Sequence, residues 1–281
     1  MVNASADPNS EIWHRDANQY EPLDSWTDVG ERRVLSEIAD RTRGRAVLDV
    51  GVGTGRSTWL LRLLTADYLG IDYEPSMLER ARDAHPGIRF SQMDARDLSE
   101  LGDDSFALTY FSHAGLDSLD HEGRATALRE LARVTKPDGL VVYSTLNRRG
   151  EFFQAGPGPV DQPQRSHAVS VARFAARAAL HPRSHLAGFR NVRGHRSSFE
   201  DHVEWAIDTM PTHDWALLVH FTTVPHAVRE AAEAHLEVTS VISREGDELS
   251  LDDRESRTAW FHVVARPAPG ETRSAPQTNQ Q

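Results

Sequence analysis

Val47-Leu48-Asp49-Val50-Gly51-Val52-Gly53-Thr54-Gly55 joins a short apolar run to three glycines spaced by two, and a leucine-rich amphipathic segment follows. That order predicts a buried strand turning sharply into a helix. Glycine is needed where the backbone takes conformations closed to other residues or lets a ligand come close. Seventeen residues past Gly55, Asp72 ends a second apolar run, Tyr68-Leu69-Gly70-Ile71. A carboxylate at the tip of a second parallel strand is placed to accept both hydroxyls of a ribose. A tight turn that holds no ligand is the plain alternative for the glycines.

Spacing separates two nucleotide-type readings. A dinucleotide fingerprint requires G-x-G-x-x-G so that helix N-terminal amides hold a pyrophosphate. Here Arg56 stands where the last glycine would fall. Glycines at 51, 53 and 55 following an aspartate instead resemble the first motif of class I S-adenosylmethionine-dependent methyltransferases, whose ligand has a ribose and no phosphate. Ile71-Asp72-Tyr73-Glu74-Pro75-Ser76-Met77-Leu78 resembles the second motif of that family, and Met93-Asp94-Ala95-Arg96-Asp97-Leu98 the third. Ser105–Phe111 reads as a fourth strand. Val134–Tyr143 resembles the turn and strand that usually read L-x-P-G-G, with Asp138 in place of one glycine.

The resemblance covers residues 30–150 and resumes weakly near the C-terminus. It implies S-adenosyl-L-methionine as cofactor, with Asp72 on the ribose, Tyr73 beside the adenine, and Asp94 accepting from the adenine amino group. It also puts Asp49, Gly51, Val52, Gly53, Gly55, Met77, Ala95, Arg96, Phe111 and Ser112 at the cofactor, with Tyr20 closing over it from the N-terminal helix. Trp13 is a second aromatic in that helix; simple packing is the alternative for both.

Strands are expected near 46–50, 68–72, 88–92, 105–111 and 139–146, alternating with helices near 55–65, 75–84 and 121–135. Alternation of this kind implies a parallel sheet with helices on both faces. The fold class expected is α/β, a Rossmann-like doubly wound sheet of about seven strands with an inserted cap after the fifth strand. Residues 1–10 and 267–281 are polar and read as disordered tails, and 11–45 as N-terminal helices. Residues 46–149 form the core and 150–220 the cap, with a helix over Ser166–Leu180 carrying Arg173 and Arg177. Residues 221–266 complete the sheet.

The 281 residues contain no cysteine, which removes disulfides, thiolate zinc sites and thiol nucleophiles. A net charge of −11 argues against a polyanionic substrate. No apolar run is long enough to span a bilayer, and no charged-then-apolar leader is present, so the cytoplasm is the default. There is no N/D-P-P-Y/F after the fourth strand, the motif with which nucleic-acid members hold a planar nitrogen. A small-molecule acceptor is therefore expected, with no nucleic acid or membrane partner; the stretch Phe111–Asp117 resembles bacterial members of the family, several of which sit among natural-product tailoring enzymes.

Methyl transfer from a sulfonium is an in-line displacement, so the protein contributes alignment, water exclusion and a base where the acceptor carries a proton. After the fourth strand the chain reads Ser112-His113-Ala114-Gly115-Leu116-Asp117. His113 is the first candidate base, with Asp117 one helical turn on to orient it; packing or capping is the alternative for His113. His213-Asp214-Trp215 is a second candidate cluster for the acceptor pocket, and an ordinary turn is its alternative. His181 and His185 have metal-ligand spacing, but Pro182 interrupts it and no cysteine or carboxylate completes a site, so no metal is expected. The alternative functions are an S-adenosylmethionine-binding protein of the same fold that catalyses a rearrangement without methyl transfer or uses the ligand structurally, and a nicotinamide-dependent oxidoreductase.

Overall fold

The structure, a computed structural model, describes residues 9–16, 26–158, 174–176 and 178–269. In chain order the main elements are α1 (Ser10–Asp16), α2 (Val29–Thr42), β1 (Val47–Val50), α3 (Thr58–Leu64), β2 (Tyr68–Asp72), α4 (Pro75–Ala84), β3 (Phe90–Gln92), β4 (Phe106–Phe111), α5 (His121–Val134) and β5 (Thr135–Asn147). There follow α6 (Pro182–His195), β6 (Glu200–Asp201), β7 (Trp205–Thr209), β8 (Leu218–Thr222), α7 (Val224–Glu233), β9 (Leu236–Ser243), β10 (Glu248–Leu249) and β11 (Trp260–Pro267).

All these strands belong to one sheet, ordered β10-β9-β11-β5-β4-β1-β2-β3 along its main path. The run from β3 to β5 is parallel, and β11 lies antiparallel between β5 and β9. The order reverses at β1, between β2 and β4, and ligands in such sheets sit at the carboxyl ends of strands flanking that point. Strand alternation sends Leu48 and Val50 to one face, under α5 and α7, and Val47 to the other, under α2 and α3. Both faces are covered, so the strands read as continuous apolar runs.

The sheet is wider than the expected seven strands because the segment after β5 adds three of its own. β5 pairs with β4 up to Phe111↔Tyr143, then with β8 at Leu146↔Phe221 and Asn147↔Thr222. β11 occupies the opposite edge of β5. β8 therefore continues the line of β4 past its carboxyl end, with β7 and β6 antiparallel beyond it.

Two expectations need correction. β5 starts at Thr135 rather than 139, directly from α5, whose N-terminus is capped by Asp120 accepting from the Gly123 N–H at 2.7 Å. Pro182 does not interrupt a helix but opens α6, since proline fits the first helical position, where no intrahelical N–H bond is lost. Of the expected Ser166–Leu180 helix, 174–176 and 178–180 are helical, while Arg173 and Arg177 lie outside the described residues.

Candidate active site

A cavity of about 350 Å³ opens at the carboxyl edge of the sheet. Its floor is the β1–α3 turn, where Gly51 and Gly53 have φ of +60° and +56°, in the left-handed region. A Cβ at Gly53 would meet no protein atom within 4 Å, whereas one at Gly51 would come 2.5 Å from the Phe111 ring. Gly53 thus keeps space for a ligand and Gly51 lets β4 close in.

Asp72 ends β2 at 8% exposure. It accepts the Gly53 N–H at 2.8 Å on one oxygen and the Glu74 N–H at 2.9 Å on the other. Burial raises its pKa to about 6, against the pull of these N–H groups. Val52, Tyr73, Met77, Asp94, Ala95, Phe111 and Ser112 also line the cavity, so most of the expected cofactor set converges. The Asp94 carboxylate is already engaged by Arg96 through Nε at 2.9 Å and Nη2 at 2.6 Å.

Three expected cofactor residues do not face the cavity. Asp49 has the alternation of Val47 and turns under α3, accepting Ser57 Oγ at 2.7 Å and Tyr68 OH at 2.8 Å; burial pushes its pKa up to about 7. Gly55, with φ of +96°, makes room for the His85 ring, 2.5 Å from where its Cβ would lie. Arg96 serves the site through its ion pair with Asp94 and is not itself in the lining. Tyr20 lies outside the described residues.

Arg56, the residue that breaks the dinucleotide pattern, lines the cavity and carries a network that sequence reasoning missed. Its guanidinium pairs with both Glu31 oxygens at 2.9 and 2.8 Å, donates to Ser112 Oγ at 2.7 Å and to the Trp26 carbonyl at 3.0 Å. Tyr110 OH completes the set on Glu31 at 2.6 Å. Burial alone would raise the Glu31 pKa, but the hydrogen bonds from Arg56, the Arg56 charge and the Tyr110 hydroxyl together outweigh it and hold the carboxyl below its usual value. Among the described residues the one guanidinium in the cavity wall is neutralised by Glu31, and an acidic residue stands at the β2 tip. A pyrophosphate has no counter-charge there, while a ribose diol facing Asp72 and a flat ring among Val52, Met77 and Ala95 match the lining. The residues fit S-adenosylmethionine.

The far end of the cavity is apolar, walled by Trp13 of α1, Leu146, Phe152, Met210, Leu217 and Trp260. Two histidines reach it on strained backbone. His113 and Ala114 follow β4 with φ of +56° and +57°, and His213, Asp214 and Trp215 have φ of +51°, +53° and +59°. Each such non-glycine residue costs about 1 kcal/mol or more. The surroundings hold them: Ser144 Oγ accepts the Ala114 N–H at 2.9 Å, Asn191 Nδ2 donates to the Asp214 carbonyl at 2.9 Å, and Trp215 Nε1 donates to the Ala155 carbonyl. His113 lies edge-on to Trp26 at 5.5 Å, and His213 edge-on to Trp13 at 5.3 Å. Desolvation of the His113 ring, reinforced by the Arg56 charge, lowers its pKa to about 4.

Asp117 does not orient His113. It is fully buried and faces away from the cavity, accepting Thr145 Oγ1 at 2.6 Å, the Leu146 N–H at 2.8 Å and the Arg124 guanidinium. Among the described residues no group of three or more His, Asp or Glu side chains is arranged to hold a metal ion.

Residues 47–139 match the model of a methyltransferase domain. A malonyl-[acyl-carrier protein] O-methyltransferase of Halorhodospira halophila is 37% identical over 172 residues, covering 58% of this chain and 54% of that protein. A demethylmenaquinone methyltransferase of Paenarthrobacter aurescens is 31% identical over 132 residues, covering 46% and 51%. The chain spans about half the length of the curated relatives it matches. Among solved structures, an S-adenosylmethionine-dependent methyltransferase from Mesorhizobium loti superposes with a TM-score of 0.55 at 21% identity, covering 85% of this chain and 98% of that one. The Burkholderia thailandensis 1,6-didemethyltoxoflavin-N1-methyltransferase, with its acceptor and S-adenosylhomocysteine bound, gives 0.56 at 14% identity over 94% and 88%. These two likenesses speak for the fold. Residues 47–139, which carry the glycine turn, Asp72 and Asp94 to one sheet edge, are thus similar to a methyltransferase domain, set in a fold shared with S-adenosylmethionine-dependent methyltransferases.

Proposed function

We propose that this chain transfers a methyl group from S-adenosylmethionine to a small-molecule acceptor, as a cytoplasmic enzyme of bacterial specialised metabolism. The observation that carries this reading is a single cavity running from Gly53 and Asp72 to an apolar chamber that two imidazoles enter. In this reading Asp72 binds the ribose hydroxyls, Asp94 and Ala95 meet the adenine, and the described residues of 150–220 act as a cap over the acceptor. When bound, the cofactor supplies an electrophilic methyl carbon. The apolar wall around Phe152, Met210 and Trp260 excludes water and aligns the acceptor. Relatives named for malonyl-[acyl-carrier protein] and for demethylmenaquinone set the first acceptor panel, together with simple phenols and quinols. Acceptor-dependent formation of S-adenosylhomocysteine is the test; binding of cofactor with no turnover on any protic acceptor would support the non-transferring alternative.

His113 enters as a neutral imidazole. Its folded pKa of about 4 lies below the ordinary 6.5, so the folded state binds fewer protons than the unfolded one between those values. The contribution of this group to stability is therefore present above pH 6.5 and is lost as pH falls toward 4. Its capacity to accept a proton or hydrogen bond from the acceptor persists over the same range. We expect the acid limb of the kcat/KM profile, which reports the free enzyme, near pH 4 to 5 rather than near 6.5. His113→Ala should reduce kcat on a protic acceptor by about 100-fold, the lower end of what a positioned base supplies, with cofactor affinity nearly unchanged. An acid limb that stays in place in the variant would assign the proton to another group.

A further inference from the structure

Residues 178–199 hold four arginines and no Asp or Glu, in a chain of net charge −11. Most of this stretch is α6, and its outward face is unusual in a second way. Leu186 is 71% exposed and Phe189 48% exposed, and Leu180 just before the helix is 75% exposed. Arg183, Leu186, Phe189, Arg190 and Arg193 are spaced by three and four, so they share one face, and all five are exposed. Among the described residues none of these three arginines, nor Arg196, forms an ion pair. The inward face is fixed. A Cβ at Gly188 would come 2.8 Å from the Trp215 ring, and Ser184 and Asn191 both hydrogen-bond Asp214. The docked helix thus braces the turn whose His213 lines the cavity, one helix thickness of about 10 Å from its outer face.

We infer that the outer face of α6 is a docking surface for an anionic lipid bilayer. Unpaired arginines answer the headgroup charge, and two large apolar side chains between them have a place to go in the headgroup–acyl boundary. A purely electrostatic contact with an acidic partner would match the arginines alone and leave Leu186 and Phe189 in water between them. The rest of the chain carries a net negative charge that such a membrane repels, which favours approach through this face. The expectation of no membrane partner followed from the lack of a spanning segment, and surface attachment needs none. Among the described residues no helix is long and apolar enough to cross a bilayer, which fits attachment in the plane of the surface. The inference does not depend on methyl transfer.

Flotation of the full chain with phosphatidylcholine vesicles, with and without phosphatidylglycerol, tests it. Binding is expected to the phosphatidylglycerol vesicles, weakening as salt screens the charge. The double variant Arg190→Glu/Arg193→Glu should lose at least about tenfold in partitioning, and Leu186→Ser/Phe189→Ser a similar factor. Arg190→Lys/Arg193→Lys should retain binding. The substituted side chains are exposed, so unchanged thermal melting of each variant verifies the fold. No flotation of the native chain at low salt would overturn the assignment, as would native-level binding by both double variants, which would move the contact to another face. Loss in the arginine variant with native binding in Leu186→Ser/Phe189→Ser would also overturn it, in favour of an acidic protein partner.

Discussion

Gly53→Val should lower the affinity for S-adenosylmethionine at least about 100-fold while the melting temperature falls by only a few degrees. The two effects separate because a Cβ at Gly53 points into the cavity, where no protein atom lies within 4 Å. The protein bears only the cost of a branched side chain at φ of +56°, about 1–2 kcal/mol. The ligand bears the rest, since a valine occupies the space through which it passes the backbone. Gly44 supplies the control. Its φ is +71°, its Cβ would likewise meet nothing within 4 Å, and it lies outside the cavity lining. Gly44→Val should lose a similar amount of stability and no cofactor affinity. Calorimetric titration of both variants with S-adenosylmethionine and S-adenosylhomocysteine makes the comparison. Near-native affinity in Gly53→Val would mean that the ligand does not run past this turn.

The glycine turn was legible because its signal is local: three glycines, an aspartate at the next strand tip, and the apolar runs that order them. Asp72 and Gly53 are 19 positions apart, yet β1 and β2 pair in parallel and bring them to 2.8 Å. Legibility failed where a motif residue faces elsewhere. The strand period already puts Asp49 with Val47 on the α2–α3 side, and motif matching ignored that alternation. Asp117 follows His113 by one helical turn, but its partners Arg124, Thr145 and Leu146 come from α5 and β5 and leave no mark near it in sequence. Glu31 and Arg56 meet across 25 positions for the same reason. The apolar walls at the far end of the cavity were missed most completely. Phe152, Met210 and Trp260 are ordinary apolar residues until β8 pairs with the end of β5 and β11 with its other edge.

Arg124→Ala should destabilise the protein by about 3–5 kcal/mol at neutral pH and by less in acid. Arg124 is wholly buried between Asp117 and Glu230, with Nε and Nη2 on the two Glu230 oxygens at 3.0 and 2.9 Å. The triad ties α5 to α7, β5 and the loop that carries His113, so its loss is felt behind the site. Even with the guanidinium present, burial pushes Asp117 up to about 6; the Arg124 charge opposes that rise, and removing it sends the carboxyl higher. Such a group binds more protons folded than unfolded, so stability falls as pH climbs from the ordinary carboxyl value of 3.8 through the raised one. In the variant that window extends above pH 6, and the gap between variant and native widens from pH 5 to pH 8. Glu230 adds to the effect, because Arg124 is what holds its pKa below the usual value against burial. Urea unfolding at both pH values measures the difference. Neutralising the carboxylates as well, in Arg124→Met/Asp117→Asn/Glu230→Gln, should recover much of the loss, because the penalty lies in two buried charges left without a partner. A loss of equal size at both pH values would instead assign it to the packing of the arginine side chain.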